Sequence, residues 1–152
     1  MPPTIVDSLQ QKATSSPNSI AYSFLDESNN IAEQITYGQL LAESESWAAT
    51  LRGKYQRGDR VLISFPPGLD FIKALYGCLR GGLVAVPATP PTRRGMERFL
   101  RIVESARVAA ILCSEKLTHS ITRAIEETSL EIPVLCVAQK AQLGSLRLPK
   151  GD

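Results

Sequence analysis

From about residue 60 onward, the chain alternates short apolar runs with longer stretches of mixed polarity. The apolar runs begin near Val61, Leu83, Val108 and Pro133. Runs this short and this apolar are typical of strands that are buried on both faces of a sheet. A helical stretch fills each gap, and strand–helix–strand units with short connections predict parallel strands joined by right-handed crossovers.

The first gap predicts a helix over residues 69–80. It follows the turn Pro66-Pro67-Gly68, which cannot continue a strand because proline has no backbone N–H to donate to a ladder. Asp70 lies in the first helical turn, where a negative charge meets the positive end of the helix dipole. The pair Gly81-Gly82 ends the helix, since glycine accepts a left-handed cap.

Apolar residues cover most of the circumference of this 69–80 helix. We place Leu75 on its buried side and Lys73 on its exposed side. A helix that is apolar on most sides is usually packed against neighbouring elements on several of them. We therefore expect an apolar surface around it, and either self-association of the chain through that surface or an element exchanged between two copies.

The other two gaps predict helices near residues 95–106 and 115–128. Their apolar positions recur at helical spacing, and Ser114 is the predicted cap of the second. The residues expected to be buried are Met96, Phe99, Leu100, Val103 and Ala106 in one helix, and Leu117, Ile121, Ala124 and Ile125 in the other.

The N-terminal part reads differently. Thr4 to Ser15 has helical spacing, and the runs Ile20–Leu25 and 31–37 predict a hairpin. Thr36 and Gln39 match a capping box. The helix that they open has an apolar stripe, with Glu43 and Glu45 predicted to lie off it: Leu40, Ser44, Trp47, Ala48 and Leu51.

These elements predict an α/β fold: a parallel βαβ sheet with flanking helices, preceded by an N-terminal helix and a β-hairpin. A chain of 152 residues fits one domain. We assign residues 1–137 to one α/β subdomain and predict that residues 138–152, where the pattern loses its period, form a loop or frayed tail.

The segment FPPGLDFIKALYGCLRGGLVAVPATPP and the upstream QITYGQL resemble the early region of fatty acyl-AMP ligases, a branch of the adenylate-forming enzymes. The resemblance extends over residues 6–137. It implies the fold of the first subdomain of such an enzyme. The later family motifs, which are a Ser/Thr/Gly-rich phosphate loop ending in Pro-Lys, an aromatic-Gly-x-Thr-Glu motif, a ribose-binding Asp and a C-terminal lysine, have no match in these 152 residues.

The resemblance also implies a function. A parent ligase uses ATP and Mg²⁺ to activate a fatty acid as acyl-adenylate and passes the acyl group to an acyl carrier protein. This chain represents the N-terminal part and leads to downstream regions, so it is expected to be inactive alone and to bind neither ATP nor Mg²⁺. The alternatives are a non-catalytic binding or regulatory module of the adenylation type, or part of an acyl-CoA synthetase.

Two groups of residues are candidates for binding. Proline and glycine residues follow two predicted strands, where open α/β sheets usually bind ligands, and suggest a ligand channel: Pro66, Pro67, Gly68, Pro87, Pro90 and Pro91. Proline steering the chain off a strand end is the simpler alternative. Arginines oppose the apolar stripe of the 95–106 helix and suggest an anion or partner surface, or only a solvated face: Arg93, Arg94, Arg98 and Arg101.

Composition narrows the function classes. A net charge of +2 gives no support for nucleic-acid binding. The start has no apolar signal-peptide core and no run is long enough to span a membrane, so we expect a cytoplasmic protein. Cys78, Cys113 and Cys136 lie in apolar segments without a Cys-x-x-Cys pair and are expected to be buried free thiols. The sequence contains no catalytic constellation and no metal motif.

Overall fold

The structure, a computed structural model, describes residues 2–137 and 146–147. Its helices and strands follow the predicted order closely. They are α1 (Ile5–Ser15), β1 (Ile20–Leu25), β2 (Ile31–Thr36), α2 (Tyr37–Arg52), β3 (Arg60–Ser64), α3 (Leu69–Arg80), β4 (Val84–Pro87), α4 (Met96–Ala106), β5 (Ala110–Ser114), α5 (Glu115–Glu126), β6 (Val134–Val137) and β7 (Leu146–Arg147).

The main sheet has the strand order β4-β3-β5-β6-β7, and its first four strands are parallel. Leu62 sits at its centre, paired with Val86 on one side and Ile111 on the other. The short strand β7 pairs antiparallel with β6. The fold prediction is confirmed. The rest of the predicted tail over residues 138–152 lies outside the described residues.

Strand alternation divides the core into two layers. Val61 and Ile63 face the layer that α2 and α3 cover, whereas Leu62 faces the layer of α4 and α5. The hairpin β1–β2 forms a separate two-stranded antiparallel sheet that packs on α2 and α3, and Leu9 of α1 belongs to the same apolar cluster. Asn29 provides the positive φ of 62° that its turn requires.

The capping boxes explain where the first helices begin. The Thr36 side chain accepts from the Gln39 N–H, and the Gln39 side chain accepts from the Thr36 N–H, as predicted. Thr4 and Asp7 make the same reciprocal pair at α1. The Thr4 bonds lower the pKa of the Asp7 carboxyl, because they favour its charged form.

The stripe predicted for α2 is buried throughout, but the position of Glu43 was predicted wrongly. Glu43 is only 6% exposed, because α3 covers a second side of α2. Lys73 of α3, expected at the surface, points its Nζ to within 4.0 Å of Glu43 Oε1, and its side chain is only 18% exposed. Glu45 is half exposed, as expected, and pairs with Arg80 at 2.9 Å.

The prediction that both early strands are buried on two faces holds for β3 and fails for β4. Val61, Leu62 and Ile63 are fully buried. Strand β4 lies at the edge of the sheet, and Val84 is 45% exposed there. An edge strand lacks a neighbour on one side, which leaves its side chains less covered.

Smaller corrections concern helix ends and faces. Gly82, with φ 75°, has the left-handed backbone, whereas Gly81 stays right-handed. Ser114 occupies the N-cap of α5, but its buried Oγ makes no hydrogen bond. Some residues expected to be buried in α4 and α5 are only partly buried: Met96, Leu100, Ala106 and Leu117.

Among the described residues, none of the large apolar side chains of α3 is exposed, so the expected open apolar surface around this helix is not found. The large apolar side chains that are most exposed lie on α1, the hairpin and β4: Ile5, Ile20, Leu25, Ile31 and Val84. The prediction of self-association through α3 therefore has no support in the described residues. Within the residues that the structure describes, no helix has the length and apolar character needed to cross a membrane.

Candidate functional site

A pocket of about 590 Å³ opens beside the carboxyl ends of β3 and β4. The hairpin forms one wall, and the turn after β3, the first turn of α3 and the exit of β4 form the others. Its lining is Tyr22, Ser23, Phe24, Phe65, Pro66, Pro67, Gly68, Leu69, Phe71, Ile72, Pro87, Ala88, Thr89 and Pro90. Open α/β sheets bind ligands at this end of their strands, and the volume is in the usual range for a small-molecule site.

Backbone chemistry shapes the turn after β3. Pro66 and Pro67 end the ladder, and Gly68 takes φ 155° and ψ −177°, a region that is essentially restricted to glycine. Gly68 is also the N-cap of α3 and makes no side-chain cap there. The turn therefore lets the chain reverse sharply from a buried strand into a helix, and the pocket lies along it.

A tyrosine pair holds the hairpin wall in place. The hydroxyls of Tyr22 and Tyr76 are 2.8 Å apart, and their rings meet edge to face with centroids 6.1 Å apart. Tyr76 lies in α3 and is 6% exposed. Burial, and then the bond to Tyr22, raise the pKa of Tyr76, so its hydroxyl remains protonated at neutral pH.

The lining decides what the pocket can do chemically. It contains no acidic, basic, histidine or cysteine side chain, and its polar side chains are those of Tyr22, Ser23 and Thr89. Such a surface can bind an apolar group by excluding water from it. It offers no carboxylate, imidazole, amine or thiol side chain for acid–base or metal chemistry.

Most of the predicted channel residues meet in this pocket. Pro66, Pro67, Gly68, Pro87 and Pro90 all line it. Pro91 does not; it lines two smaller pockets, of about 280 and 330 Å³, on the side of α4. The sequence missed the hairpin wall because Tyr22 and Phe24 read only as strand residues, and no local pattern reports a contact across more than forty residues.

The four arginines do not converge on this pocket. Arg93, Arg94, Arg98 and Arg101 are all exposed, on α4 or in the turn before it. Arg101 pairs with Glu97 one turn away at 3.3 Å, a contact between two exposed side chains that contributes little. Arg98 lines the pocket of about 280 Å³, and Arg93 lines the other together with Arg123 of α5.

The resemblance implies ATP and Mg²⁺ for the parent enzyme, and the described residues of this chain do not fit either group. Among the described residues, no three His, Cys, Asp or Glu side chains lie close enough together to hold a metal ion. The large pocket offers no charged side chain to a triphosphate. No step of an adenylation reaction can be assigned to these residues.

Comparison with known proteins identifies the family. The sequence matches the AMP-binding enzyme family over residues 9–149. It is 32% identical over 132 residues to a medium-chain-fatty-acid–[acyl-carrier-protein] ligase, JamA, of Moorena producens, covering 84% of this chain and 22% of that protein. It is also 30% identical to Disco-interacting protein 2 of Drosophila melanogaster, covering 86% of this chain and 8% of that protein.

A solved structure agrees with this match. A fatty acyl-adenylate ligase from L. pneumophila, in complex with acyl adenylate and pyrophosphate, superposes with a TM-score of 0.73 at 34% identity. The match covers 86% of this chain and 22% of the ligase. The chain thus spans less than a quarter of these relatives, and its resemblance to fatty acyl-AMP ligases is confirmed. The chain belongs to the AMP-binding enzyme family.

Proposed function

We propose that this chain is the N-terminal α/β subdomain of a fatty acyl-AMP ligase. The parent enzyme joins the carboxylate of a fatty acid to the AMP part of ATP and releases pyrophosphate. One observation carries the proposal: the two proline-rich turns that resemble this branch also build the apolar pocket. ATP and Mg²⁺ are assigned to the parent enzyme, outside the described residues.

The pocket contributes part of the path for the fatty acid. Phe71 and Ile72 on α3 and Phe24 on the hairpin present apolar surface. An alkyl chain gains about 0.8 kcal/mol for each methylene that it buries. The absence of charged side chains from the lining suits the alkyl tail and not the carboxylate. In this proposal the reacting end of the acid therefore binds outside the pocket.

The acyl acceptor in this proposal is the phosphopantetheine arm of a carrier protein. The similarity to a fatty-acid–[acyl-carrier-protein] ligase supports this choice over coenzyme A. The exposed arginines at the start of α4 offer positive charge to an acidic partner. Transfer to coenzyme A, as in an acyl-CoA synthetase, is the competing outcome.

A second candidate is a binding module without turnover. Its support is the similarity to Disco-interacting protein 2, a protein named for an interaction. A module of this kind would use the same apolar pocket to bind an acyl group or an apolar peptide. The two candidates differ in one observable, which is the formation of acyl-adenylate. A cytoplasmic location remains a prediction for both.

The test uses the full-length gene product with ATP, Mg²⁺ and fatty acids of increasing length. We expect acyl-adenylate in the product mixture, followed by acyl transfer when holo carrier protein is added. Equal transfer to coenzyme A would make the protein an acyl-CoA synthetase. Binding of fatty acid without any acyl-adenylate would contradict the ligase and support the binding module.

A further inference from the structure

Two of the three cysteines are neighbours across the sheet. Cys113 of β5 and Cys136 of β6 are Cα partners in the parallel register. Adjacent strands lie about 4.8 Å apart, within the span of about 4.4–6.8 Å between the Cα atoms of disulfide-bonded cysteines. The register therefore places the two Cα atoms at a separation that a disulfide can bridge.

Both side chains face the same layer. Leu135 belongs to the layer of α2 and α3, and its neighbour Val134 packs against the layer of α4 and α5. Successive strand residues alternate, so Cys136 points to the same layer as Val134. Cys113 belongs to that layer too, and its Sγ lies 3.8 Å from Thr118 Oγ1 of α5.

The two thiols differ in their access to solvent. Cys113 is fully buried, whereas Cys136 is only partly buried, contrary to the expectation that all three cysteines are buried. Burial raises the pKa of Cys113 to about 11, and the nearby Cys136 adds to the rise. Cys78 is buried in the layer of α2 and α3, on the other face of the sheet from Cys113 and Cys136. A reagent in solution therefore meets Cys136 first.

We propose that Cys113 and Cys136 form a thiol-modification site. Small disulfides such as glutathione disulfide oxidise its two thiols to an internal disulfide bond. The Cys136 thiolate attacks one sulfur of glutathione disulfide, whose S–S bond breaks and releases one glutathione. Cys113 then gives its proton to solvent and attacks the Cys136 sulfur, which releases the second glutathione. Two protein thiols are oxidised, and one glutathione disulfide is reduced to two glutathiones.

The bond would join the carboxyl ends of β5 and β6, one residue before the N-cap of α5 at Ser114. Because Cys136 retains some exposure, reduced glutathione can reverse the reaction by the same route. The modification is thus a reversible link at the end of the sheet where the loops begin. It involves none of the residues that line the apolar pocket.

The test counts thiols in the 152-residue chain under native conditions. The protein is incubated with glutathione disulfide, blocked with a maleimide, and examined by intact mass and by peptide mapping. We expect the loss of two of the three free thiols, with one linked pair of peptides that contain Cys113 and Cys136. Excess reduced glutathione should restore all three.

Variants separate this pair from nonspecific oxidation. Cys78→Ser should lose two thiols as the wild type does, while Cys136→Ser should form no internal disulfide. The wild-type peptide map decides the result even if a variant fails to fold. Three thiols that stay free, a stable glutathione adduct on Cys136, or a linkage that involves Cys78 would each overturn the proposal.

Discussion

Gly77 of α3 lies directly against Trp47 of α2, so that a Cβ atom on Gly77 would sit 2.6 Å from the Trp47 Cβ. Trp47 is fully buried and packs against Phe65, with ring centroids 6.4 Å apart. The absence of a side chain at Gly77 is what lets the two helices approach. This contact holds α3, which carries one side of the apolar pocket, against α2.

Gly77→Ala should therefore lower the free energy of unfolding by about 1–3 kcal/mol, the usual cost of overpacking a core. Gly53→Ala is the matched control, because Gly53 has a right-handed backbone and its Cβ would meet nothing nearer than 3.5 Å. Urea unfolding of both variants gives the comparison. Equal midpoints would mean that α2 and α3 do not pack this closely.

The contact between Lys73 and Glu43 predicts a second stability effect. Lys73→Met would leave the Glu43 carboxylate buried without its counter-charge, at a cost of about 3 kcal/mol. Lys54→Met, on an exposed residue, should stay within about 0.5 kcal/mol. Adding Glu43→Gln to Lys73→Met should recover most of the loss. A Lys73→Met variant as stable as the wild type would show that the pair contributes nothing.

Burial of Cys78 predicts that stability falls in alkaline solution. Burial raises the pKa of this thiol to about 12, whereas an unfolded cysteine ionises near about 8.5. Between these values the unfolded state has released a proton that the folded state retains, so rising pH favours unfolding by about 1.4 kcal/mol per pH unit for each such thiol.

Cys78→Ala removes one such thiol, so its free energy of unfolding should fall less steeply above about pH 9 than that of the wild type. The cavity that the substitution leaves lowers stability equally at every pH, so only the slopes are compared. Urea unfolding across an alkaline series measures them. Parallel slopes would contradict the buried thiol.

The isolated 152-residue chain should neither exchange pyrophosphate into ATP nor form acyl-adenylate. Its sequence has no match to the phosphate loop of the family, and its described residues offer no metal cluster. Incubation with ATP, Mg²⁺ and a fatty acid, followed by mass spectrometry, checks this. Formation of acyl-adenylate by the pure chain would contradict the prediction.

Much of the fold was predictable because local patterns determine it. The apolar runs mark the strands, and the Thr36–Gln39 capping box marks the start of α2. The errors arose where a distant element decides the environment of a residue. A helical wheel places Glu43 off the main stripe, but only the tertiary structure shows that α3 covers that side. Val84 is exposed because β4 lies at the edge of the sheet, and a local apolar run does not show the order of the strands.

One part of the candidate site could likewise be predicted from local sequence, whereas another part depends on distant contacts. Pro66, Pro67 and Gly68 predict a turn at the carboxyl end of a strand. Ligands usually bind at this end of the strands in open α/β sheets, so these residues could be expected to line a pocket. The hairpin wall depends on the contact between Tyr22 and Tyr76, which are 54 positions apart. Pairing over that distance leaves no local signal in a single sequence.

The most direct measurement is ATP–pyrophosphate exchange by the full-length gene product against fatty acids of increasing length, for wild type, Ile72→Trp and Ile5→Trp. Ile72 lines the pocket, whereas Ile5 is 49% exposed on α1 and serves as the control. We predict fatty-acid-dependent exchange in the wild type and in Ile5→Trp. In Ile72→Trp the larger side chain should fill pocket volume and move the optimum to shorter acids. No exchange with any fatty acid, or an unchanged length profile in Ile72→Trp, would contradict a pocket that holds the acyl chain of a ligase.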